Sequence, residues 1–593
     1  MLRLSIVLPA LLACRMGTAA AAPGAAAPPQ YGLRLRFLDS ATGYAIQPAS
    51  VAVRAHRPEA QEQHLAAAQI TASGQTALAL AAGRHTITAA APDHQPMTGD
   101  FEMSEANPYV IQFLLDPLVL PRELQPDYLA ALQRDNAALL LGFIVDEESG
   151  EPLKDVRVSS APSGARTRSD SRGFFQLYVP VQSEPEAETV PANLLFEKPG
   201  YQTAARQHLE VWPRGDWTYR IRLTRGQGTQ TVDERQFRRR LPPTKTAAAA
   251  APATSLATPA LAQSVEPLDT PGPLATAPTN ATVRVPRNIR VLKSDNVTID
   301  YVTLDFYCKH VLPAEWIAGW AGYAGGSNSL NAGAVALRTY AIGYINSPRG
   351  STYDICATTS CQVYGATTSS YSDTAVNFTA NYVEINSSGA IPSGLTEYSA
   401  ENNQLGAACG DGFTAPTGGC LYDPVCAGEA TYGHGRGMCQ WGTARWATGN
   451  RMAGRLSSDT RSNGFPRRDW VWICRHYYPN LTLVKGAPLM VGDDLKALNT
   501  VNVRACTGGS ITNGTGCGAV ATKSAGATGT IIGGPTVVTN DGAGYTWYQV
   551  QWSDGAVGWS VENYLERVFP LPTAPASLSA APAGTNQINL TWT

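Results

Sequence analysis

Charge is scarce in this chain. Of 593 residues, 16% are charged, and 45 basic against 47 acidic side chains leave a formal charge of -2. So even a balance offers no attraction to a polyanion, and nucleic acid is not an expected partner. Long apolar runs are missing too. The N-terminal one, Leu4 to Ala13, has about ten residues where a membrane span needs about twenty, and no later segment is long and apolar enough. Apart from Cys14, the N-terminal half has no cysteine, so any disulfide framework belongs to the C-terminal half.

What is present points to export. Arg3, the apolar run and the small residues through Ala22 read as a signal peptide over residues 1–22. Ala19 to Ala22 supplies a cleavage site, while Leu11-Leu-Ala-Cys14 also resembles a lipoprotein box that would place a lipid anchor on Cys14. The expected location is secreted, periplasmic or wall-associated in a bacterium, with a lipoprotein as the alternative. Without Cys14, ten of the 11 cysteines remain, an even number that suits disulfides in an oxidising compartment. Cys506 and Cys517 form a local pair, whereas the eight between Cys308 and Cys474 allow many connectivities.

Length alone implies roughly four domains. Residues 30–117 carry short alternating runs such as Leu33-Arg-Leu-Arg-Phe37 and His85-Thr-Ile-Thr88, expected to form a small β-sandwich. Residues 137–224 repeat the pattern, with Gly150-Glu-Pro-Leu-Lys-Asp-Val-Arg-Val158 and Lys198-Pro-Gly-Tyr201. This second unit resembles the carboxypeptidase regulatory-like β-sandwich, and the first a degraded relative of it. The resemblance implies spacer or adhesion modules. Residues 225–285, rich in Ala, Pro and Thr, read as an extended linker whose basic run Arg235 to Arg240 is a solvated edge or a contact for anionic wall polymers. Residues 486–567, with Trp547-Tyr-Gln-Val-Gln-Trp552 and Gly558-Trp-Ser-Val561, resemble a bacterial SH3-like barrel. Residues 573–593 resemble the first two strands of a fibronectin type III domain.

The central region, 286–485, concentrates the chemistry. Thr303 is a suitable N-cap for a helix reaching Val311, which Pro313 is expected to break. Ser329 is the next expected N-cap, before a helix whose buried stripe is Leu330, Ala334, Leu337, Ala341 and Tyr344. Glu315 falls beside Trp316 with Trp320 near, and an acid among indoles loses hydration and favours its neutral, proton-donating form. From spacing alone, a surface glutamate at a helix end is the competing reading.

Four motifs then carry a resemblance: Val311-Leu-Pro-Ala-Glu-Trp316, Asn331 to Ala341, Cys361-Gln-Val-Tyr364 and Gly433-His-Gly-Arg-Gly-Met-Cys-Gln-Trp-Gly442. In order and spacing they are similar to the stage II sporulation protein D family, which includes the amidase enhancers, and the likeness extends over about 285–485. It implies a lytic transglycosylase of peptidoglycan glycan strands, with Glu315 as catalytic acid and base and no cofactor. It also offers Arg338, Gln362, Tyr364, His434, Gln440 and Trp316 as substrate-binding candidates, each with a packing role as the alternative. For Trp441 packing is the stronger option. Some family members hold zinc on Cys, His and Cys at the segment matching Asp354 to Cys361. Here Ser360 replaces one ligand, so a Cys356–Cys361 disulfide and no metal is expected. Glu397 and Glu401 are a second acidic group or solvated loop charges. The expected fold is multidomain and mainly β, with an α+β catalytic centre. The partner is peptidoglycan, and a cell-wall amidase is added if the chain is instead a non-catalytic enhancer.

Overall fold

The structure is a computed structural model. It describes residues 4–7, 30–48, 50–55, 63–65, 70–104, 109–181, 190–234, 280–394, 396–401, 423–426, 433–449, 465–507, 516–540, 543–568, 578–584 and 587–592. Most of the expected signal peptide, the linker from 235 to 279 and residues 402–422 of the cysteine-rich insertion lie outside the described residues. Two compact units result: Gln30–Met490, and Val491–Thr593 together with Met1–Pro29. The protein is mainly β, with its helices gathered largely in the central region. Among the described residues no helix is long and apolar enough to cross a membrane.

In the larger unit, period-two alternation produces a first sandwich of two sheets. Gln30–Asp39, Gln75–Ala81 and Val110–Leu115 form one sheet; Gln63–Leu65, Ser50–Ala55, Gly83–Ala90 and Met97–Met103 form the other. Phe37, Phe101 and Phe113 are buried in its core. The first sheet does not stop there. Val110–Phe113 pairs in parallel with Thr298–Tyr301, and the ladder continues through Asn288–Leu292 to Ile355–Cys356. Tyr301 packs into the sandwich core, and the Gln112 amide donates to Asp300 at 2.8 Å.

Helix α1, Pro126–Leu132, leads to the second sandwich. Its sheet of Phe174–Pro180, Ala137–Asp146 and Asp216–Leu223 takes Thr367–Thr368 of the central region as a fourth strand. Ala318 joins the sandwich core, and a Cβ on Gly319 would lie 3.1 Å from the Trp212 indole. Ser370 donates both its N–H and its hydroxyl to the buried carboxylate of Asp216, at 2.8 and 2.5 Å. Both sandwiches therefore share packed surface with the central region, where the sequence suggested separate spacers.

Among the described residues the central region is built on five helices: α2 (Leu304–Glu315), α3 (Ser327–Asn346), α4 (Ser370–Phe378), α5 (Gln440–Thr448) and α6 (Trp470–Tyr477). The expected stripe on α3 understates its burial. Nearly every residue from Ser329 to Gly343 is buried, polar Asn331, Arg338 and Thr339 included. α3 starts three residues earlier than expected, after Gly326, and Ser329 is no cap. Its hydroxyl is buried within 2.6 Å of the Thr443 hydroxyl on α5.

In the smaller unit, seven strands between Asp494 and Arg567 form one sheet with Trp547, Tyr548 and Trp552 buried, and Cys506 is bonded to Cys517. The strands Leu578–Gly584 and Gln587–Trp592 pair antiparallel, and Leu4–Val7 adds a third strand antiparallel to the latter.

Candidate active site

Thr303 caps α2 as expected, its hydroxyl accepting from the Phe306 N–H at 3.3 Å. The expected break at Pro313 does not occur. A proline in a final turn costs the helix one N–H bond, and the turn still closes when the Trp316 N–H donates to the Leu312 carbonyl at 2.7 Å. Glu315 is consequently the last residue of the helix, fixed by its backbone, with 7% of its surface exposed. Its Oε1 accepts from the Val363 N–H at 2.9 Å, and its Oε2 from the Gln440 amide at 3.3 Å. Three segments thus meet at one carboxyl group: the end of α2, the stretch 362–364 and the start of α5.

Each of those segments has its own support. Gln362 is fully buried: its Oε1 accepts from the Tyr307 hydroxyl at 2.9 Å, and its Nε2 donates to the Tyr398 hydroxyl at 2.9 Å and to the Leu337 carbonyl at 3.2 Å. With both amide ends engaged, Gln362 holds the backbone that aims the Val363 N–H at Glu315. Tyr364 stacks on Tyr307 with ring centroids 5.5 Å apart and lies near the His310 imidazole. Burial pushes the Tyr364 phenol well above its usual range, with the Asp300 charge adding to it, and burial pulls His310 well below its own. Both rings are therefore neutral parts of the interior at ordinary pH.

The third segment arrives through the glycine turn. Gly433, Gly435 and Gly437 all take positive φ, and a Cβ on Gly437 would fall onto the Glu397 carbonyl. Only glycine allows so close an approach. The turn docks by the Gly435 N–H donating to the Ser399 hydroxyl at 2.9 Å, and Met438–Cys439 pairs in parallel with Tyr398–Ser399. His434 stands half-buried on this turn, its Nδ1 accepting from the Arg436 N–H at 3.0 Å. Gln440 follows as the first residue of α5, 2% exposed. Trp441 is buried against Trp320, ring centroids 4.9 Å apart, so packing is its role.

Two candidates sit in the scaffold rather than at the carboxyl group. Trp316 is 1% exposed; its ring covers Gly333 of α3 and its indole N–H donates to the Thr443 hydroxyl at 3.2 Å. Arg338 is fully buried, and its guanidinium donates to the carbonyls of Thr379 at 2.8 Å, Val376 at 3.0 Å and Tyr382 at 3.3 Å. It ties α3 to the end of α4, where helix carbonyls lack intrahelical donors. Glu397 and Glu401 are not solvated loop charges. Arg436 holds the first at 2.9 and 3.1 Å, and Arg445 holds the buried second at 2.7 Å on each oxygen.

Cys356 and Cys361 form a disulfide, Cα atoms 5.6 Å apart. A different group, Glu401, Cys426 and Cys439, brings three possible metal-ligating atoms within 4.8 Å. The Arg445 guanidinium lies against it, 2.7 Å from both Glu401 oxygens and 3.4 Å from Cys426 Sγ, which opposes a further cation. The Val363 N–H was not legible beforehand, because a backbone donor leaves no side-chain signature. Tyr307 and Tyr398, which brace Gln362, carried no signal beyond being aromatic.

Comparison with known proteins adds one family. Residues 293–384 match the SpoIID model, Stage II sporulation protein. That segment holds Glu315, Arg338, Gln362 and Tyr364 and stops short of His434 and Gln440. None of the curated proteins matches the chain. Among solved structures, 3-chlorocatechol 1,2-dioxygenase from Rhodococcus opacus 1CP is similar at 14% identity and TM-score 0.12, covering 17% of this chain and 61% of that one. A streptococcal ancillary pilin is similar at 8% and 0.12, covering 33% and 62%, and the shaft pilin SpaA of Lactobacillus rhamnosus GG at 10% and 0.11, covering 33% and 98%. The chain spans less than two thirds of the length of the first two. At such TM-scores these likenesses have no bearing on function.

Proposed function

We propose that the chain acts on the bacterial cell wall as a lytic transglycosylase, cleaving peptidoglycan glycan strands between N-acetylmuramic acid and N-acetylglucosamine. The observation that carries this reading is Glu315, a buried carboxyl group at a helix end inside the segment matching the sporulation-protein family, held by donors from two other segments. Val363 holds Oε1 at 2.9 Å and Gln440 holds Oε2 at 3.3 Å, which orients the carboxyl group that exchanges the proton. In the first half of the reaction the Glu315 proton passes to the glycosidic oxygen as its bond to the muramyl C1 breaks. In the second half the Glu315 carboxylate takes the proton of the muramyl 6-hydroxyl, whose oxygen bonds to C1. No water is added, the product ends in a 1,6-anhydro ring, and one carboxyl group serves both steps. Gln440 touches Glu315, and His434, half-buried on the glycine turn that leads to it, is the other side chain assigned to sugar binding. Gln362, Tyr364, Arg338 and Trp316 act by holding the scaffold.

The test is mass spectrometry of products from purified glycan strands, intact and stripped of peptides. Anhydromuramyl ends, one water lighter than hydrolysis products, are expected from the wild type and are expected to fall by a factor of roughly a thousand in Glu315→Gln. Full activity in that variant, or hydrolysed ends only, would overturn the reading. Loss of all cleavage in the wild type would leave wall binding that recruits an amidase.

A further inference from the structure

We infer that Cys426 and Cys439 close a disulfide bond that ties the turn bearing Gln440 to the helical turn at Pro424–Cys426. Their sulfurs are 3.3 Å apart, inside the contact distance of two unbonded sulfur atoms, and both cysteines are fully buried. A disulfide has its sulfurs at about 2.05 Å, so closure needs a shift of little more than 1 Å, within reach of side-chain rotation. Each side is anchored independently. Asp423 accepts from the Trp446 indole N–H at 3.0 Å and the Tyr477 hydroxyl at 2.6 Å, which holds the Cys426 turn against α5 and α6. Cys439 caps α5, its sulfur accepting from the Gly442 N–H at 3.1 Å, and its strand pairs with Tyr398–Ser399.

The same atoms fit a divalent cation poorly. Glu401 has both oxygens engaged by Arg445, whose guanidinium also reaches Cys426 Sγ, so a metal there would face a fixed positive charge. Burial raises both thiols, which disfavours the thiolates a metal requires. In forming the bond, two thiols release two protons and two electrons to a small-molecule or protein disulfide, which is reduced to two thiols. The exchange takes place before the core closes, and burial then shields the product from reductant.

Because Gln440 directly follows Cys439, the bond fixes the peptide that places the Gln440 amide on Glu315. This second consequence rests on the proposed glycan-cleaving reading; the bond itself does not.

The experiment is alkylation of the full chain in denaturant without reductant, followed by peptide mapping. Cys308 and Cys474 should be alkylated, while Cys426 and Cys439 should appear as one cross-linked peptide pair that reduction separates. Alkylation of both without reductant, or one equivalent of zinc in the purified protein that is lost in Cys439→Ser, would overturn the inference. Thermal melting gives the second measurement. Cys426→Ser, Cys439→Ser and the double variant should each melt lower by roughly 4 °C, the double no worse than either single, since all three lose the same bond. Additive losses would also overturn it. If the cross-link is found and glycan cleavage is absent, the failure belongs to the functional reading alone. Where cleavage is measured, the variants should lower kcat severalfold at unchanged KM, as expected of a positioning element and not of general unfolding.

Discussion

Glu315 and Glu401 are both buried carboxyl groups of the central region, and the partners described for them differ in kind. Glu401 faces a guanidinium that grips both its oxygens at 2.7 Å, and neither side chain reaches solvent. Burial pulls the Arg445 guanidinium down, but Glu401 more than offsets this and holds it well above its ordinary range. The hydrogen bonds from Val363 and Gln440 to Glu315 come from neutral groups, a peptide N–H and a primary amide. A full counter-charge matches one protonation state, whereas dipoles tolerate a proton arriving and leaving. The first arrangement is scaffold, and the second suits a group that cycles its proton.

The comparison is broken most forcefully at the ion pair. Arg445→Met leaves Glu401 buried without its counter-charge and should cost about 3–5 kcal/mol, while a Glu401→Met, Arg445→Met double variant should recover most of the loss. Urea denaturation at pH 7 reads both. A single variant as stable as wild type would remove the scaffold role from the pair.

A third carboxyl group sharpens the contrast from the opposite side. Glu384 is 1% exposed, its Oε1 has no hydrogen-bond partner, and burial raises its pKa to about 8 against a modest pull from Arg475. The folded chain keeps a proton that the unfolded chain releases near 4.5. Stability from this group is therefore fully present below about pH 4.5, falls as pH rises and levels off beyond about 8. Asp373, raised by burial to about 7, acts in the same sense over a lower window. Melting curves between pH 5 and 8.5 should show stability declining with pH by on the order of a few kcal/mol, and Glu384→Gln should flatten the part nearest pH 8. A slope unchanged in that variant would mean that Glu384 ionises without cost.

The smallest effect is expected at the dipoles. Gln440→Ala removes one neutral donor from Glu315 and should lower kcat for glycan cleavage about tenfold with the melting temperature nearly unchanged, since a net neutral hydrogen bond contributes about 1 kcal/mol. Equal losses in activity and stability would place Gln440 with Glu401 and not with Glu315.

Local chemistry was legible in the residues, and long-range consequences were not. The Thr303 cap, the strands of the first sandwich and the Cys356–Cys361 disulfide followed from short patterns. Pro313 misled because a proline in a last turn interrupts little that is not already ending. Arg338 stays ambiguous in the sequence because residue type says nothing about which carbonyls surround it. The sharing of strands between sandwiches and centre was invisible, because pairing of segments far apart in the chain leaves no mark in either one.

That shared sheet has a consequence for how the protein is made. Gln112 and Asp300 meet although they lie 188 residues apart in the chain. During synthesis the strand Val110–Leu115 emerges first, with Gln30–Asp39 beside it and its other flank bare until Thr298–Tyr301 arrives. A bare strand flank is a template for any passing chain. The nascent protein must therefore carry an adhesive edge through the production of nearly a third of its length. A fragment ending before Thr298 would keep that edge for good, and self-association of such a fragment is the hazard built into this order of assembly.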